Sequence, residues 1–261
     1  MSKIDFDQQI DRSGTYSLKY DARQRLFGRE DAIPLWVADM DFAAPESVTK
    51  ALTVRAQHPL YGYSEYPEAL YQATQEWFLR RHHWHIDAEH ILICPGVVPS
   101  LHATIMALTE KHDQVIAQPP VYFPFFSAVT ETQRNLLLNP LQLVDEYYQI
   151  NFAELAEQAA AGAKMLLLCS PHNPGGRVWS ESELQQLLDI ARQYQLIIVS
   201  DEIHADLVLS GQKHIPLATL ADDVPMVTAV SASKTFNIAG LGMSMLIVPD
   251  NQHKKAIESV F

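Results

Sequence analysis

Short apolar segments alternate with segments of helical spacing along most of this chain, and this alternation constrains its fold more than any other feature. Several of the apolar segments have no polar position, which is typical of strands buried on both faces of a parallel sheet. Helices between most of the strands would cover those two faces. We therefore predict an α/β fold with a seven-stranded, mainly parallel sheet and helices on both faces. The predicted strands lie at residues 91–94, 114–118, 136–138, 164–169, 196–199, 225–230 and 242–248.

Local signals predict where some elements begin and how they are arranged. Residues 180–183 read Ser-Glu-Ser-Glu, a capping box that begins a helix, and Pro45 opens another helix that runs to about residue 57. The segment 33–42 is extended, and its proline favours a position at a sheet edge. The strand at 242–248 follows its predecessor too closely for a crossover, so we expect the two to be antiparallel.

The composition excludes several classes of partner. The chain has 261 residues, a formal net charge of −12, and 48% hydrophobic and 19% charged residues. These fractions are those of a folded globular protein rather than a disordered one. The negative charge argues against binding to nucleic acid or to an anionic membrane surface. No apolar run approaches the length of a membrane span.

Cysteine and histidine usage predicts a reducing compartment and no metal site. Cys94 and Cys169 lack the spacing of metal ligands or redox pairs, so we expect reduced, core-filling thiols. The first residues carry acids and no apolar stretch of a secretory signal, which together with the thiols favours a cytoplasmic protein. His82, His83 and His85 adjoin two arginines, and we interpret them as a polar helix end and loop rather than as metal ligands.

Four of the predicted strands are followed by residues that can carry chemistry, namely Tyr122, Asn173, Asp201 and Lys234. Open α/β sheets bind ligands at the carboxyl ends of their strands, so we expect these residues to share a site. Each also has an ordinary interpretation: core packing for the tyrosine, a turn for the asparagine, a helix cap for the aspartate and a solvated loop for the lysine. Their joint occurrence favours a site, because a lysine after a strand can form a Schiff base with a carbonyl cofactor.

A fifth strand end predicts an anion site. The strand at 91–94 leads into Gly96, Val97 and Val98, and a helix follows. Free N–H groups and the positive end of the helix dipole converge at such a turn. Many α/β proteins have such turns, so this signal is weak by itself.

Three motifs contain strand-end residues named above: Asn173-Pro174-Gly175-Gly176, Ser200-Asp201-Glu202-Ile203-His204 and Ser231-Ala232-Ser233-Lys234. They resemble motifs of the fold-type I enzymes that use pyridoxal 5′-phosphate, the aspartate aminotransferase superfamily. Their order and spacing match, and the resemblance covers nearly the whole chain. The segments 38–42, 61–64 and 233–241 further resemble its C–S lyase branch, the cystathionine β-lyases of the MalY/PatB type.

The resemblance implies pyridoxal 5′-phosphate as the cofactor and a role for each strand-end residue. Lys234 would attach the cofactor and, once freed, act as the base that removes the substrate Cα proton. Asp201 would pair with the pyridine nitrogen, and Asn173 would donate to the ring hydroxyl oxygen. Tyr122 would stack on the ring. His204 stands where many relatives have a tyrosine that also contacts the ring oxygen.

The resemblance also implies how the cofactor phosphate and a second subunit are arranged. Tyr63 resembles the tyrosine that reaches the phosphate of the neighbouring subunit, so we expect a homodimer. The other expected phosphate ligands are the backbone N–H groups of Gly96, Val97 and Val98 and the hydroxyls of Ser231 and Ser233.

The implied domain division leaves the chain without part of its site. Residues 1–45 would belong to a small domain, 46–250 would form the cofactor-binding large domain, and 251–261 would start a helix cut short before an absent C-terminal domain. In the family that domain supplies an arginine that binds the substrate carboxylate. We therefore expect the chain to bind cofactor but to turn over substrate poorly or not at all.

The segment after Lys234 favours elimination over transamination. Aminotransferases usually carry a phosphate-binding arginine there, in a Gly-Trp-Arg-x-Gly stretch, whereas this chain has Gly240-Leu241-Gly242-Met243-Ser244. The implied reaction is α,β-elimination on an amino-acid substrate, cystathionine or a related cysteine S-conjugate, giving a thiol, pyruvate and ammonia. An aminotransferase is the alternative enzyme, and a non-enzymatic regulatory protein of the same fold is the alternative outside enzymes.

Overall fold

The computed structural model describes residues 5–209 and 211–261, and it contains the predicted alternation of strands and helices. The strands are β1 (Ile91–Cys94), β2 (Gln114–Ala117), β3 (Asn135–Leu138), β4 (Gln142–Val144), β5 (Tyr147–Gln149), β6 (Met165–Cys169), β7 (Ile197–Asp201), β8 (Met226–Val230) and β9 (Ser244–Ile247). The helices are α1 (Leu18–Asp21), α2 (Arg23–Phe27), α3 (Glu46–Gln57), α4 (Glu68–His82), α5 (Val97–Leu108), α6 (Pro124–Glu131), α7 (Phe152–Ala160), α8 (Glu181–Tyr194), α9 (Ala232–Thr235) and α10 (Asn251–Glu258).

The main sheet has seven strands in the order β1-β9-β8-β7-β6-β2-β3. The strands from β8 across to β3 all run in the same direction. Strand β9 is antiparallel to both of its neighbours, β8 and β1. The predicted seven-stranded, mainly parallel sheet is confirmed, and so is the antiparallel arrangement of the last strand.

The core lies on both faces of this sheet, and β6 shows why. Met165 and Leu167 belong to one apolar cluster, which includes side chains of α5 and α6. Leu166 and Leu168 belong to another, with side chains of α7 and α8. Because successive side chains of a strand point to opposite faces, an uninterrupted apolar strand is buried on both sides only when helices cover both.

The sequence predicted a helix start and a helix end correctly from residues that lie close together in the chain. The backbone N–H of Glu183 donates to Ser180 Oγ (3.3 Å), and the backbone N–H of Ser180 donates to Glu183 Oε2 (2.8 Å), which confirms the capping box before α8. Helix α4 ends at His82, and His83 follows in the left-handed conformation, which confirms the interpretation of these histidines as a helix end.

Two features of the described residues bear on membranes and metals. The longest helix, α4, has 15 residues, and no helix in the described part of the chain is both long and apolar enough to cross a membrane. Within residues 5–209 and 211–261, no group of three or more His, Cys, Asp or Glu side chains is arranged to hold a metal ion.

One local prediction needs correction, and one pair of strands was not predicted. The segment 33–42 forms no strand, because backbone groups near Met40 bond to side chains instead of to another strand. Strands β4 and β5 form a separate antiparallel pair that the sequence did not suggest, since both are short and largely exposed. Helix α10 starts at Asn251, as expected, where the Asp250 carboxylate caps it, and it ends at Glu258.

By compactness the chain divides into two units. The first contains residues up to Ser64 together with Ala232–Leu241, and the second contains Glu65–Ser231 and Gly242–Phe261. The main sheet and its apolar clusters belong to the second unit. The domain boundaries expected at residues 45 and 250 stay a prediction.

The first unit is organised by charge rather than by an apolar core. Arg12 forms ion pairs with both Asp39 and Asp41, and Lys19 pairs with Asp41 at 3.2 Å. The Lys19 ammonium also donates to the Asp39 carbonyl oxygen at 2.8 Å. These bonds hold residues 39–41 against the segment that begins at Arg12.

Replacing Leu167 by alanine should destabilise the protein strongly. The side chain is fully buried in β6, so its removal leaves a cavity and costs about 2–5 kcal/mol. Leu143→Ala is the matched control, because Leu143 is 63% exposed and its removal should change the free energy of unfolding by less than about 0.5 kcal/mol. Urea unfolding followed by circular dichroism measures both, and equal effects would contradict the assignment of β6 to the core.

Candidate functional site

The carboxyl ends of six strands lie at one edge of the main sheet, and five of these ends precede predicted site residues. Strands β2, β6, β7 and β8 are parallel, and β1 has the same direction because β9 is antiparallel to both β8 and β1. Eight of the predicted site residues follow these strand ends in the second unit. They are Gly96, Val97, Val98, Tyr122, Asn173, Asp201, His204 and Ser231.

Asp201 is a buried carboxylate at the end of β7. It is 4% exposed, and its backbone pairs with Cys169 of β6. Its Oδ1 accepts a hydrogen bond from the backbone N–H of Ile203 at 3.2 Å. Burial, reinforced by the negative charge of Asp201, raises the pKa of the Cys169 thiol and of the Tyr122 hydroxyl.

The loops after β2 and β6 are joined at the same edge. The backbone N–H of Tyr122 donates to the carbonyl oxygen of Asn173 at 3.0 Å. The backbone N–H of Asn173 contacts Cys169 Sγ at 3.3 Å, and the Asn173–Pro174 peptide bond is cis. The Tyr122 side chain is 40% exposed, so its ring is open to a ligand.

The turn after β1 has the geometry expected of an anion site. Gly96 has φ +155° and precedes α5, a conformation that side chains with a Cβ rarely adopt. Val97 and Val98 form the first turn of α5, and N–H groups in that position have no acceptor within their own helix. Ser100 Oγ donates to the Gly96 carbonyl oxygen at 2.7 Å, which fixes the turn.

A cavity of about 540 Å³ lies beside Asn173 and His204. Residues Leu207 to Leu209 add apolar lining, and the turn at 171–176 forms part of its wall. A mostly apolar cleft of this size with a few polar groups is typical of small-molecule sites.

Ser231 follows β8 in the second unit, and the other three predicted site residues lie in the first unit. The Ser231 hydroxyl donates to the Met243 carbonyl oxygen at 2.7 Å. Ser233 and Lys234 lie in α9 of the first unit, and the Lys234 ammonium is 3.4 Å from the Ala38 carbonyl oxygen. Tyr63 also belongs to the first unit, and its side chain is fully exposed.

Sequence reasoning missed two groups near these residues. His172 is 3% exposed, its Nδ1 accepts from the Gly175 N–H at 3.2 Å, and burial lowers its pKa to about 4. Glu202 is fully buried, and its carboxylate lies 2.7 Å from His214 Nε2 and accepts from Ser200. The Asn-Pro-Gly turn signal pointed to the neighbourhood of His172, whereas the pairing of Glu202 with a residue twelve positions away had no local signal.

Comparison with known proteins identifies the family. The sequence pattern described as aminotransferase class I and II matches residues 30–260. The chain belongs to this family. The resemblance inferred from the three motifs is confirmed by this match.

The relatives include carbon–sulfur lyases. Cystathionine beta-lyase PatB of Bacillus subtilis is 44% identical over 250 residues, which cover 95% of this chain and 65% of PatB. Cystalysin from Treponema denticola, which contains pyridoxal 5′-phosphate, aligns with a TM-score of 0.93 at 35% identity over 99% of this chain and 67% of its own. A pyridoxal-phosphate-bound putative aminotransferase from Clostridium difficile aligns at 0.95 and 36% identity, with the same coverage. The chain thus spans about two thirds of the length of these proteins.

His172 predicts a pH dependence of stability. Its pKa is about 4 in the folded protein, compared with an ordinary value of 6.5. Between these two pH values the side chain is therefore neutral in the folded protein and protonated in the unfolded chain. Stability should therefore be fully present above pH 6.5 and fall as the pH drops towards 4, by roughly 3 kcal/mol. Urea unfolding of the wild type and His172→Gln across this range should give a flatter curve for the variant. The exposed His85, replaced in the same way, is the control, and parallel curves for His172→Gln and wild type would contradict the prediction.

Proposed function

We propose that this chain binds pyridoxal 5′-phosphate and that the protein is a carbon–sulfur lyase. The proposed reaction is α,β-elimination on cystathionine or a related cysteine S-conjugate, giving a thiol such as homocysteine, pyruvate and ammonia. The observation that carries the proposal is the buried carboxylate of Asp201 at the same sheet edge as the Asn173 turn and the Gly96 turn. The similarity to PatB and cystalysin supports the choice of reaction.

The residues present fit this cofactor. The Asp201 carboxylate, at the carboxyl end of β7, could accept a charge-assisted hydrogen bond from a protonated pyridine nitrogen. The helix dipole and the first N–H groups of α5 favour a phosphate in a protein whose net charge of −12 would otherwise repel it.

The cofactor supplies an electron sink that stabilises the negative charge left when the substrate Cα proton is removed. Lys234 Nζ would hold the cofactor covalently and then accept that proton as general base. The Asp201 carboxylate would keep a proton at the ring nitrogen. The acid that protonates the leaving thiolate is left open between Lys234 and a tyrosine.

The other predicted residues would bind and orient the cofactor. Asn173 would donate a hydrogen bond from its amide to the ring hydroxyl oxygen, with His204 at the same oxygen, and the half-exposed Tyr122 ring would pack on the ring face. The phosphate ligands would be the N–H groups of Gly96, Val97 and Val98 and the hydroxyls of Ser231 and Ser233.

Elimination is favoured over transamination by the segment after Lys234. Gly242 stands where aminotransferases carry a phosphate-binding arginine. The proposal further includes a cytoplasmic homodimer in which Tyr63 reaches the neighbouring subunit's phosphate. The full exposure of Tyr63 within one chain supports that arrangement.

Replacing Lys234 by alanine should abolish both cofactor attachment and lyase activity. The wild type mixed with pyridoxal 5′-phosphate should develop a visible absorbance band and release pyruvate from cystathionine slowly, in line with the poor turnover expected of this chain, and without a keto-acid acceptor. Loss of the general base should lower pyruvate release at least a hundredfold or so, and the band should disappear. Lys111→Ala, at an exposed lysine, is the control and should retain both signals.

The alternatives give different results in the same experiment. An aminotransferase would release no pyruvate until a keto-acid acceptor is added. A non-enzymatic regulator would show no turnover and would be unaffected by Lys234→Ala. A wild-type protein that stays colourless with added cofactor would contradict the proposed cofactor itself.

Tyr63→Phe should weaken cofactor binding about tenfold, because it removes one hydrogen bond to a charged phosphate. Mixed dimers of Tyr63→Phe and Lys234→Ala subunits separate a contribution across the interface from one within the chain. The only subunit able to attach cofactor then faces an intact Tyr63 of its partner, so affinity should return to the wild-type value. Tyr66→Phe, at another exposed tyrosine, is the control. Affinity that stays low in the mixed dimer would exclude the proposed arrangement.

A further inference from the structure

The Asn237 side chain ties the lysine-bearing segment to residues 38–42 within the first unit. The backbone N–H of Met40 donates to Asn237 Oδ1 at 2.9 Å. Asn237 Nδ2 donates to the carbonyl oxygens of Met40 at 2.9 Å and of Phe42 at 2.8 Å. The amide therefore pairs with the backbone much as a neighbouring strand would, although residues 33–42 form no strand.

Asparagine suits this position for two reasons. Asn237 has φ +54°, in the left-handed region where asparagine is tolerated better than most residues. Its amide combines an acceptor with two donor hydrogens, and all three bonds use this combination. Aspartate could accept from Met40 but could not donate to either carbonyl oxygen.

The same segment also receives Lys234. Its ammonium is 3.4 Å from the carbonyl oxygen of Ala38, two residues before Met40. Between Lys234 and Asn237 the backbone is locally bonded: the N–H of Phe236 donates to Ala232 at 3.0 Å and that of Ile238 to Ser233 at 2.9 Å. Fixing Asn237 therefore limits where the lysine amine can lie.

The segment on the other side of these bonds is itself held in place. Arg12 bonds to both Asp39 and Asp41, and Lys19 donates to the Asp39 carbonyl oxygen. Residues 38–42 are thus a fixed anchor within the first unit.

We propose that Asn237 is a positioning residue for the Lys234 amine, acting through its three bonds to residues 40–42. This inference rests on the proposed function, in which Lys234 attaches the cofactor. Asn237 touches neither substrate nor cofactor in this role. Its effect is to reduce the number of positions that the amine samples, which makes cofactor attachment more favourable.

Two variants separate the bonds from the backbone conformation. Asn237→Gly removes the side chain but suits the left-handed conformation, so its effect comes from the lost bonds rather than from strain. Asn237→Asp keeps the acceptor for Met40 and places a carboxylate against two carbonyl oxygens. Asn135→Gly is the matched control, because Asn135 also donates to a backbone carbonyl, that of His112 at 2.7 Å, but in β3 of the second unit.

Hydrogen–deuterium exchange without added cofactor tests the bonds alone. The Met40 amide should exchange about tenfold faster in Asn237→Gly than in the wild type, because its acceptor is lost. It should keep its rate in Asn135→Gly, and it should be partly protected in Asn237→Asp. An unchanged Met40 rate in Asn237→Gly would overturn the proposal.

Cofactor attachment tests the positioning role. With pyridoxal 5′-phosphate added, the dissociation constant should rise about tenfold in Asn237→Gly and Asn237→Asp, and the visible circular dichroism of the bound cofactor should weaken. Borohydride reduction and peptide mapping identify the labelled lysine. Faster exchange at Met40 with unchanged affinity and dichroism would mean that the bonds are merely structural and would overturn the proposal.

The controls distinguish failure of this inference from failure of the proposed function. If the wild type itself carries no label at Lys234, the proposed cofactor attachment is wrong and the positioning role falls with it. If the wild type is labelled at Lys234 and the Asn237 variants match it in affinity, only the positioning role is wrong.

Discussion

The parallel pairing of β6, β7 and β8 is the constraint on which the rest of this structure depends. It buries Leu166, Leu167 and Leu168 between two apolar clusters, and it brings the carboxyl ends of three strands to one edge. The polar residues that end those strands therefore lie where the apolar core stops and solvent begins. Burial of the apolar strands thus determines where the polar strand-end residues lie, although these residues add little apolar surface to the core.

Asp201 shows how burial gives the edge its chemistry. A carboxylate removed from water is costly unless a positive partner compensates it, and its charge helps to raise the pKa of Cys169 and Tyr122. The thiol is therefore kept protonated and unreactive. At the Gly96 turn the N-terminus of α5 carries the positive end of the helix dipole, opposite in sign to the Asp201 carboxylate.

The sequence predicted an element correctly where the residues that determine it lie close together in the chain. The capping box at Ser180 involves residues three apart, so the sequence alone located the start of α8. The hairpin β4–β5 was missed because its strands are short and largely exposed. The segment 33–42 was misjudged because a side chain distant in sequence bonds to its backbone. Asn237 bonds to Met40 across 197 positions, and no pattern in either segment indicates that pairing.

By itself the sequence determined the class of fold, the direction of most strands, the family and the residues that end the strands. These depend on periodicity, on capping chemistry and on motifs, all of which are written in short stretches of chain. Only the tertiary structure decided which groups are buried together: Glu202 with His214, His172 with Gly175, and Asn237 with residues 40–42. Burial and hydrogen bonding between distant segments depend on how the whole chain packs, and that information is not present in any one segment.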